Sequence, residues 1–300
     1  MIRKLLMLCI AAVFLYSCNN SEKDLSQDLD LPDSLLMDQN MQISKETMEN
    51  IIQSVSSPIE MAALIKSTNV PFSQRLLSST EYVDEYNTNY RKALALGIFG
   101  ADLGYLNIYE KTGTAITHLS AIKTLSDGLK IGQFFDFSVL KRLASSSNNL
   151  DSLIFISINS FNRMDEYLRE NNRTNVSTLI VTGVWIEGLY LATQIQKEHP
   201  NKELAERIGE QKLFMNDMIL LLSLFKADKK FQGLIKDIEE LKALYKDVTI
   251  SYEVGEPEMV EKDGRLVIVQ NETSIVKITD AQLNEIIEKT EIIRNKIVNI

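Results

Sequence analysis

The stretch "ALALGIFGADLGYLNIYEK", Ala93 to Lys111, is almost entirely small and apolar up to Tyr109, with one carboxylate, Asp102, in its middle. A membrane helix needs about 20 apolar residues, and a central charge costs roughly 3 kcal/mol on insertion. We therefore predict a central helix of a bundle, apolar on nearly every side because other helices surround it. The same pattern, with Glu187 as its only charge, recurs in Leu179 to Thr193.

Three glycines, Gly97, Gly100 and Gly104, lie beside Asp102 in this segment. With Ala93 and Ala101 they form two ridges of small residues at a spacing of four, on which another helix backbone can pack closely. Each internal glycine costs about 1 kcal/mol relative to alanine, so something must offset that cost. Close helix packing is the first interpretation, and a groove for a ligand is the alternative.

Asp102 and Glu187 each need a partner, because a buried unpaired carboxylate is expensive. If the chain turns near Thr112-Gly113, Asp102 lies about level with Lys123 on the returning helix, and Asn107 lies level with His118. Two interpretations follow. Each helical hairpin holds a structural ion pair or hydrogen-bond network, or Asp102, Lys123, His118 and Glu187 together line a polar pocket.

Helical periodicity extends from about residue 43 for two hundred residues, broken only by short connections such as "NNRTN" and "HPN". Short connections force neighbouring helices to run antiparallel, so we predict a mainly α fold, an up-and-down antiparallel helical bundle. After the cap at Ser57-Pro58, the predicted helices cover about 80–111, 114–130, 134–144, 150–171, 176–198, 202–226 and 229–246.

The period then changes to that of strands. In "VTISYEV", Val248 to Val254, apolar residues alternate, and Asp263-Gly264 is a strong signal for a tight hairpin turn. These features predict a small antiparallel β-meander over about 248–278. The sequence "TDAQ", Thr279 to Gln282, predicts a capping box that opens a terminal helix over about 280–298.

Residues 1–17, "MIRKLLMLCIAAVFLYS", have the basic start and short apolar run of a signal peptide. The segment Leu15 to Cys18, "LYSC", resembles the lipobox of bacterial lipoproteins. That resemblance implies cleavage before Cys18, attachment of lipid to its thiol, and, because Asn19 follows the cysteine, placement in the outer membrane. Its periplasmic or surface face stays open.

Residues 18–42 are predicted to be a flexible acidic tether, since Asn19 to Asn40 contains six acidic residues against Lys23 alone. The helical domain then spans 43–300. Its central segment "ALALGIFGADLGYLNIY" resembles one found in a family of uncharacterised helical lipoproteins, which implies location and fold but no activity.

Catalytic and cofactor signatures are missing from the sequence. The cysteines are Cys9 in the signal peptide and Cys18, the histidines are His118 and His199, and no zinc, di-iron, nucleophile-elbow or phosphate-loop motif occurs. We expect no catalytic residue, metal or cofactor, although two carboxylates such as Asp102 and Glu187 can serve a glycosidase.

The net charge of −9 argues against a nucleic-acid partner. We expect a membrane contact through the lipid and an envelope protein as partner. The leading hypothesis is a non-catalytic helical binding or scaffold domain. The alternative is a small-ligand carrier or sensor with a polar pocket around Asp102.

Overall fold

The structure, a computed structural model, describes Thr47 and residues 58–144, 150–255, 257–262, 265–269 and 272–299. The predicted signal peptide, Cys18, the tether and the turn residues 263–264 lie outside this part of the chain. The helices are α1 Pro58–Ser67, α2 Asn89–Ile108, α3 Thr112–Gly128, α4 Phe137–Ala144, α5 Leu150–Glu170, α6 Thr174–Glu198, α7 Lys202–Ser223, α8 Lys229–Leu244 and α9 Asp280–Val298.

The predicted fold class is confirmed: the chain is mainly helical, with a small antiparallel β insert just before the last helix. The capping box at the start of α9 is also confirmed, since the Thr279 hydroxyl accepts a hydrogen bond from the Gln282 backbone N–H and the Gln282 side chain accepts one from the Thr279 backbone N–H. Local sequence thus fixes where α9 begins.

Helix α6 forms the centre of the bundle and packs against α1, α2, α5, α7 and α9. Among the described helices it is the one long and apolar enough to cross a membrane by length and composition, and 94% of its most apolar window is buried inside the protein. Helices surround it on all sides, which explains why its sequence is apolar around its whole circumference.

Helices α2 and α6 cross at a pair of glycines. A Cβ atom at Gly97 would lie 2.1 Å from the backbone oxygen of Ile180, and one at Gly183 would lie 2.2 Å from that of Leu94. No side chain larger than hydrogen fits at either position. The predicted close packing is therefore present at Gly97.

Gly100 is a correction to that prediction, because no atom lies within 4 Å of a Cβ position there. The same is true of Gly188 on α6. Gly104 is buried within α2. Of Gly97 and Gly100, only Gly97 makes a close contact with another helix.

The first helical hairpin turns earlier than the sequence suggested. Helix α2 begins only at Asn89, where the Thr88 hydroxyl accepts a hydrogen bond from the Arg91 backbone N–H, and it ends at Ile108. Glu110 takes a left-handed conformation with φ of 56°, which ends the helix without a glycine. Gly113 consequently lies in the first turn of α3 and is not the stop signal.

The β insert contains β1 Thr249–Val254, β2 Glu258–Lys262, β3 Arg265–Val269 and β4 Glu272–Lys277. It is built as two nested hairpin ladders, β1 with β4 and β2 with β3. In a meander each strand would instead pair with the next. Lys262 pairs with Arg265, which leaves a two-residue connection at the predicted turn position. The predicted strands are present, and their pairing order differs.

Helix α7 holds the β1–β4 ladder against the bundle. Its Lys212 ammonium donates hydrogen bonds to the backbone oxygens of Lys246, at 2.9 Å, and Val248, at 2.6 Å. Two residues before Lys212, the Glu210 carboxylate accepts a hydrogen bond from the Ser274 hydroxyl of β4. These contacts place β4 and the chain between α8 and β1 beside α7.

Candidate functional site

Three charged side chains meet inside the bundle: Asp102 from α2, Glu187 from α6 and Arg294 from α9. The two acids are fully buried and Arg294 is 7% exposed. Burying charge is favourable only when the charges are paired and hydrogen-bonded. Most of the polar atoms of these three side chains have hydrogen-bonding partners inside the protein.

Arg294 is the hub of the cluster. Its Nε donates to Glu187 Oε2 at 3.0 Å and its Nη2 donates to Glu187 Oε1 at 3.1 Å, a two-pronged geometry that suits a carboxylate. The same Nη2 donates to the Ser78 hydroxyl at 2.7 Å and lies 3.4 Å from the Leu76 carbonyl oxygen. Its guanidinium carbon lies 4.5 Å from the centre of the Tyr190 ring, which adds a cation–π contact.

Ser78 connects the cation to the second acid. Its hydroxyl accepts from Arg294, and its backbone N–H donates to Asp102 Oδ2 at 2.9 Å. Ser78 belongs to the irregular segment between α1 and α2, which contains the short 3₁₀ turns Gln74–Leu76 and Val83–Glu85. Because this segment has few regular backbone hydrogen bonds of its own, its path is fixed by contacts of this kind.

His118 of α3 completes the cluster but is not fully bonded. Its Nδ1 lies 3.1 Å from the Thr114 carbonyl oxygen, which can only accept, so Nδ1 carries the hydrogen in the neutral ring. Its Nε2 lies 3.7 Å from Asp102 Oδ2, too far for a hydrogen bond. Among the described residues, neither His118 Nε2 nor Asp102 Oδ1 has a hydrogen-bonding partner.

Asp102 lies close enough to Glu187 for its charge to act on the Glu187 carboxyl group. Burial raises the pKa of Glu187 to about 8; the charge of Arg294 opposes this rise and Asp102 adds to it. Both Glu187 oxygens already accept from Arg294, and Asp102 Oδ1 has no donor. The raised pKa favours the protonated form of Glu187, which lowers the negative charge that Arg294 has to balance.

The structure brings together three of the four residues predicted to form a network: Asp102, His118 and Glu187. Lys123 is the correction, since it is half-exposed and pairs with Asp127 on its own helix. Because the hairpin is centred near Glu110, His118 is the residue level with Asp102. Lys123 lies five residues further along α3, about 140° around the helix from His118.

Sequence reasoning missed Arg294 and Ser78. For Arg294 a signal was present: the buried positions of α9 include Leu283, Ile287 and Thr290, and Arg294 continues that face at helical spacing. A cation on an apolar face is the natural partner for an isolated buried acid. For Ser78 there was no signal, because the path of an irregular segment depends on the assembled tertiary structure.

The described residues contain no group of three or more His, Cys, Asp or Glu side chains placed to hold a metal ion. Comparisons with protein-family models, curated proteins and solved structures gave no match to this chain. The chemistry available to the cluster is therefore judged from its geometry. Its acids are fully buried, Glu187 is bonded to Arg294 and Asp102 to the Ser78 backbone, which suits a structural lock between helices better than proton transfer to a substrate.

Proposed function

We propose that this chain is a lipid-anchored protein of the cell envelope whose helical domain binds or supports another envelope protein without catalysing a reaction. The observation that carries the proposal is the sequence Leu15 to Cys18 behind a basic start and an apolar run. In this proposal Cys18 carries the lipid, the outer membrane is the location, and the acidic tether holds the helical domain away from the lipid surface.

The geometry of the buried cluster supports the non-catalytic part of the proposal. General acid–base catalysis requires a side chain within hydrogen-bond reach of the substrate. Asp102 and Glu187 are fully buried, and Arg294 occupies both oxygens of Glu187. Because Asp102 and Glu187 make their contacts within the domain, a partner protein would bind the outer surface of the helices.

Palmitate labelling tests the anchor, with a matched control from the other cysteine of the chain. In cells fed radioactive palmitate, we expect the wild type and Cys9→Ala to be labelled and Cys18→Ala to remain unlabelled. Cross-linking in intact cells then tests the partner: one envelope protein should be captured by wild type and Cys9→Ala and lost with Cys18→Ala. Labelling of Cys18→Ala, or cross-links that persist in that variant, would contradict the proposal.

One observation favours the alternative of a ligand carrier with a polar pocket around Asp102. The atoms His118 Nε2 and Asp102 Oδ1 are buried, lie on neighbouring side chains and have no hydrogen-bonding partner among the residues that the structure describes. A small polar ligand bound to both should raise the melting temperature of the wild type and not that of Asp102→Asn. Screening neutral polar compounds for that difference separates a pocket from a structural lock.

A further inference from the structure

A cleft of about 660 Å³ lies on the side of the bundle formed by α3, the 3₁₀ turn Gly132–Phe134, the start of α4 and the middle of α5. Small-molecule sites in proteins range from about 300 to 1,000 Å³. The cleft is separate from the Arg294 cluster. Lys123, which the sequence placed in the buried network, lies on the cleft instead.

Aromatic rings line one part of the cleft: Phe134, Phe135 and Phe137, all half-buried. Phe134 packs on Tyr167 of α5 with ring centres 4.9 Å apart, and Phe135 packs on Phe137 at 5.7 Å. These contacts hold the rings in place before any ligand arrives. An aromatic ligand can stack on them or meet their edges.

Helix α5 lines the cleft with Ile156, Asn159 and Arg163, which lie on one face of the helix at a spacing of three to four residues. Arg163 is exposed, and in the part of the chain that the structure describes its guanidinium has no hydrogen bond or ion pair. A guanidinium can bind a carboxylate through two parallel hydrogen bonds. Arg163 is therefore a cation available to a ligand.

The cleft has two other charged groups in its lining, Lys123 and Asp136, and each interacts with a neighbouring residue. Lys123 pairs with Asp127, and its ammonium lies 5.6 Å from the centre of the Phe137 ring. The Asp136 carboxylate accepts hydrogen bonds from the Ser138 hydroxyl at 2.6 Å and the Val139 backbone N–H at 3.0 Å. With Lys123 and Arg163 against Asp136, the lining of the cleft carries one net positive charge, which favours an anionic ligand.

We propose that this cleft binds a small aromatic carboxylate, with the ring against the phenylalanines and the carboxylate on Arg163. Lys123 adds a second positive charge to the lining of the cleft. The proposal combines a cavity of suitable volume, an ordered aromatic wall and a guanidinium without a partner. It does not depend on the lipid anchor or on the envelope partner proposed above.

Calorimetric titration of the purified full-length protein with 1-naphthoate tests the site, with 1-naphthalenemethanol as the uncharged probe of similar shape. We expect 1-naphthoate to bind with a Kd below about 1 mM and the alcohol to bind about tenfold more weakly. Arg163→Gln should weaken 1-naphthoate binding about tenfold and leave binding of the alcohol unchanged.

Arg142→Gln is the matched control, because it removes the same charge from α4 at an exposed position outside the cleft lining. We expect it to bind 1-naphthoate like the wild type. Phe135→Leu, which keeps the apolar contact and removes the ring, should weaken both probes about threefold. Equal affinity for the two probes, equal losses in Arg163→Gln and Arg142→Gln, or the absence of binding would overturn the proposal.

Discussion

Helices α2 and α6 contact each other in two different ways within a short distance along their axes. At Gly97 and Gly183 the two backbones touch, and no side chain lies between them. Asp102 and Glu187 follow five and four residues later, and there the space between the helices holds an arginine and a serine. One contact depends on shape alone and the other on charge.

The comparison shows that a tightly packed crossing and a polar cluster can lie side by side on the same two helices. The crossing at Gly97 and Gly183 brings α2 and α6 together. About a turn away, a guanidinium binds Glu187, and the backbone of Ser78, whose hydroxyl accepts from the same guanidinium, binds Asp102. The glycines fix the helix positions, and the cluster fixes which other elements, α9 and the segment before α2, join them.

The largest effect is expected from removing the cation. Arg294→Met leaves two buried acids without their counter-ion, and we expect the free energy of unfolding to fall by about 3–5 kcal/mol. Urea denaturation measures this change. The control is Lys296→Met on the same helix, which removes a half-exposed ion pair with Asp237 and should cost about 1 kcal/mol or less.

Equal denaturation midpoints for Arg294→Met and the wild type would show that the cluster contributes little. The Arg294 cluster would then add no net stability, and the glycine crossing alone would determine how α2 and α6 pack.

The next effect tests the shape-dependent contact. Gly97→Ala places a Cβ against the Ile180 backbone oxygen, which cannot move without shifting α6, so we expect a loss of about 1–3 kcal/mol or more. Thermal unfolding followed by circular dichroism measures it.

Gly100→Ala is the matched control on the same helix, three residues away. Its Cβ meets no atom within 4 Å, and alanine favours helix over glycine, so we expect no loss and a gain of up to about 1 kcal/mol. Similar losses in the two variants would mean that the crossing is not localised at Gly97.

The smallest effect concerns pH. The pKa of Glu187 is raised to about 8 in the folded protein, against an ordinary value near 4.5. Between these two pH values the folded protein keeps a proton on Glu187 that the unfolded chain releases. The contribution of Glu187 to the free energy of unfolding is therefore complete below about pH 4.5 and is lost as the pH rises through about 8. The expected slope is at most about 1.4 kcal/mol per pH unit.

Denaturation of Glu187→Gln at the same pH values isolates this contribution, since an amide does not titrate. We expect the difference in unfolding free energy between wild type and variant to move against the wild type as pH rises from 5 to 8. A difference that does not change with pH would mean that burial does not raise the pKa of Glu187 in the folded protein.

Most of the fold could be predicted from the sequence, because helical periodicity and short connections leave few alternatives. The site could be predicted in part. Asp102 and Glu187 were found because each is an isolated charge in an apolar helix, and the face of α9 that contains Arg294 could have supplied their partner. Lys123 was wrongly included because one left-handed residue, Glu110, ends α2 before the glycine does.

Some features depend on the assembled structure and leave no local trace. Ser78 reaches Asp102 only because the segment before α2 is held between helices. The nested pairing of the strands is equally hidden, because alternating residues predict strands but do not specify which strands pair. Gly97 and Gly100 look alike in sequence, and only the position of α6 distinguishes them.

The position of Arg294 near the end of the chain has a consequence for synthesis. A ribosome makes Asp102 and Glu187 long before it makes their counter-ion, since Arg294 lies 107 residues beyond Glu187 and 216 beyond Ser78. Until α9 emerges, closing the bundle would bury acids with no guanidinium to pair them, at a cost of several kcal/mol. We therefore expect the centre of the nascent domain to close only when α9 is available to pair these acids.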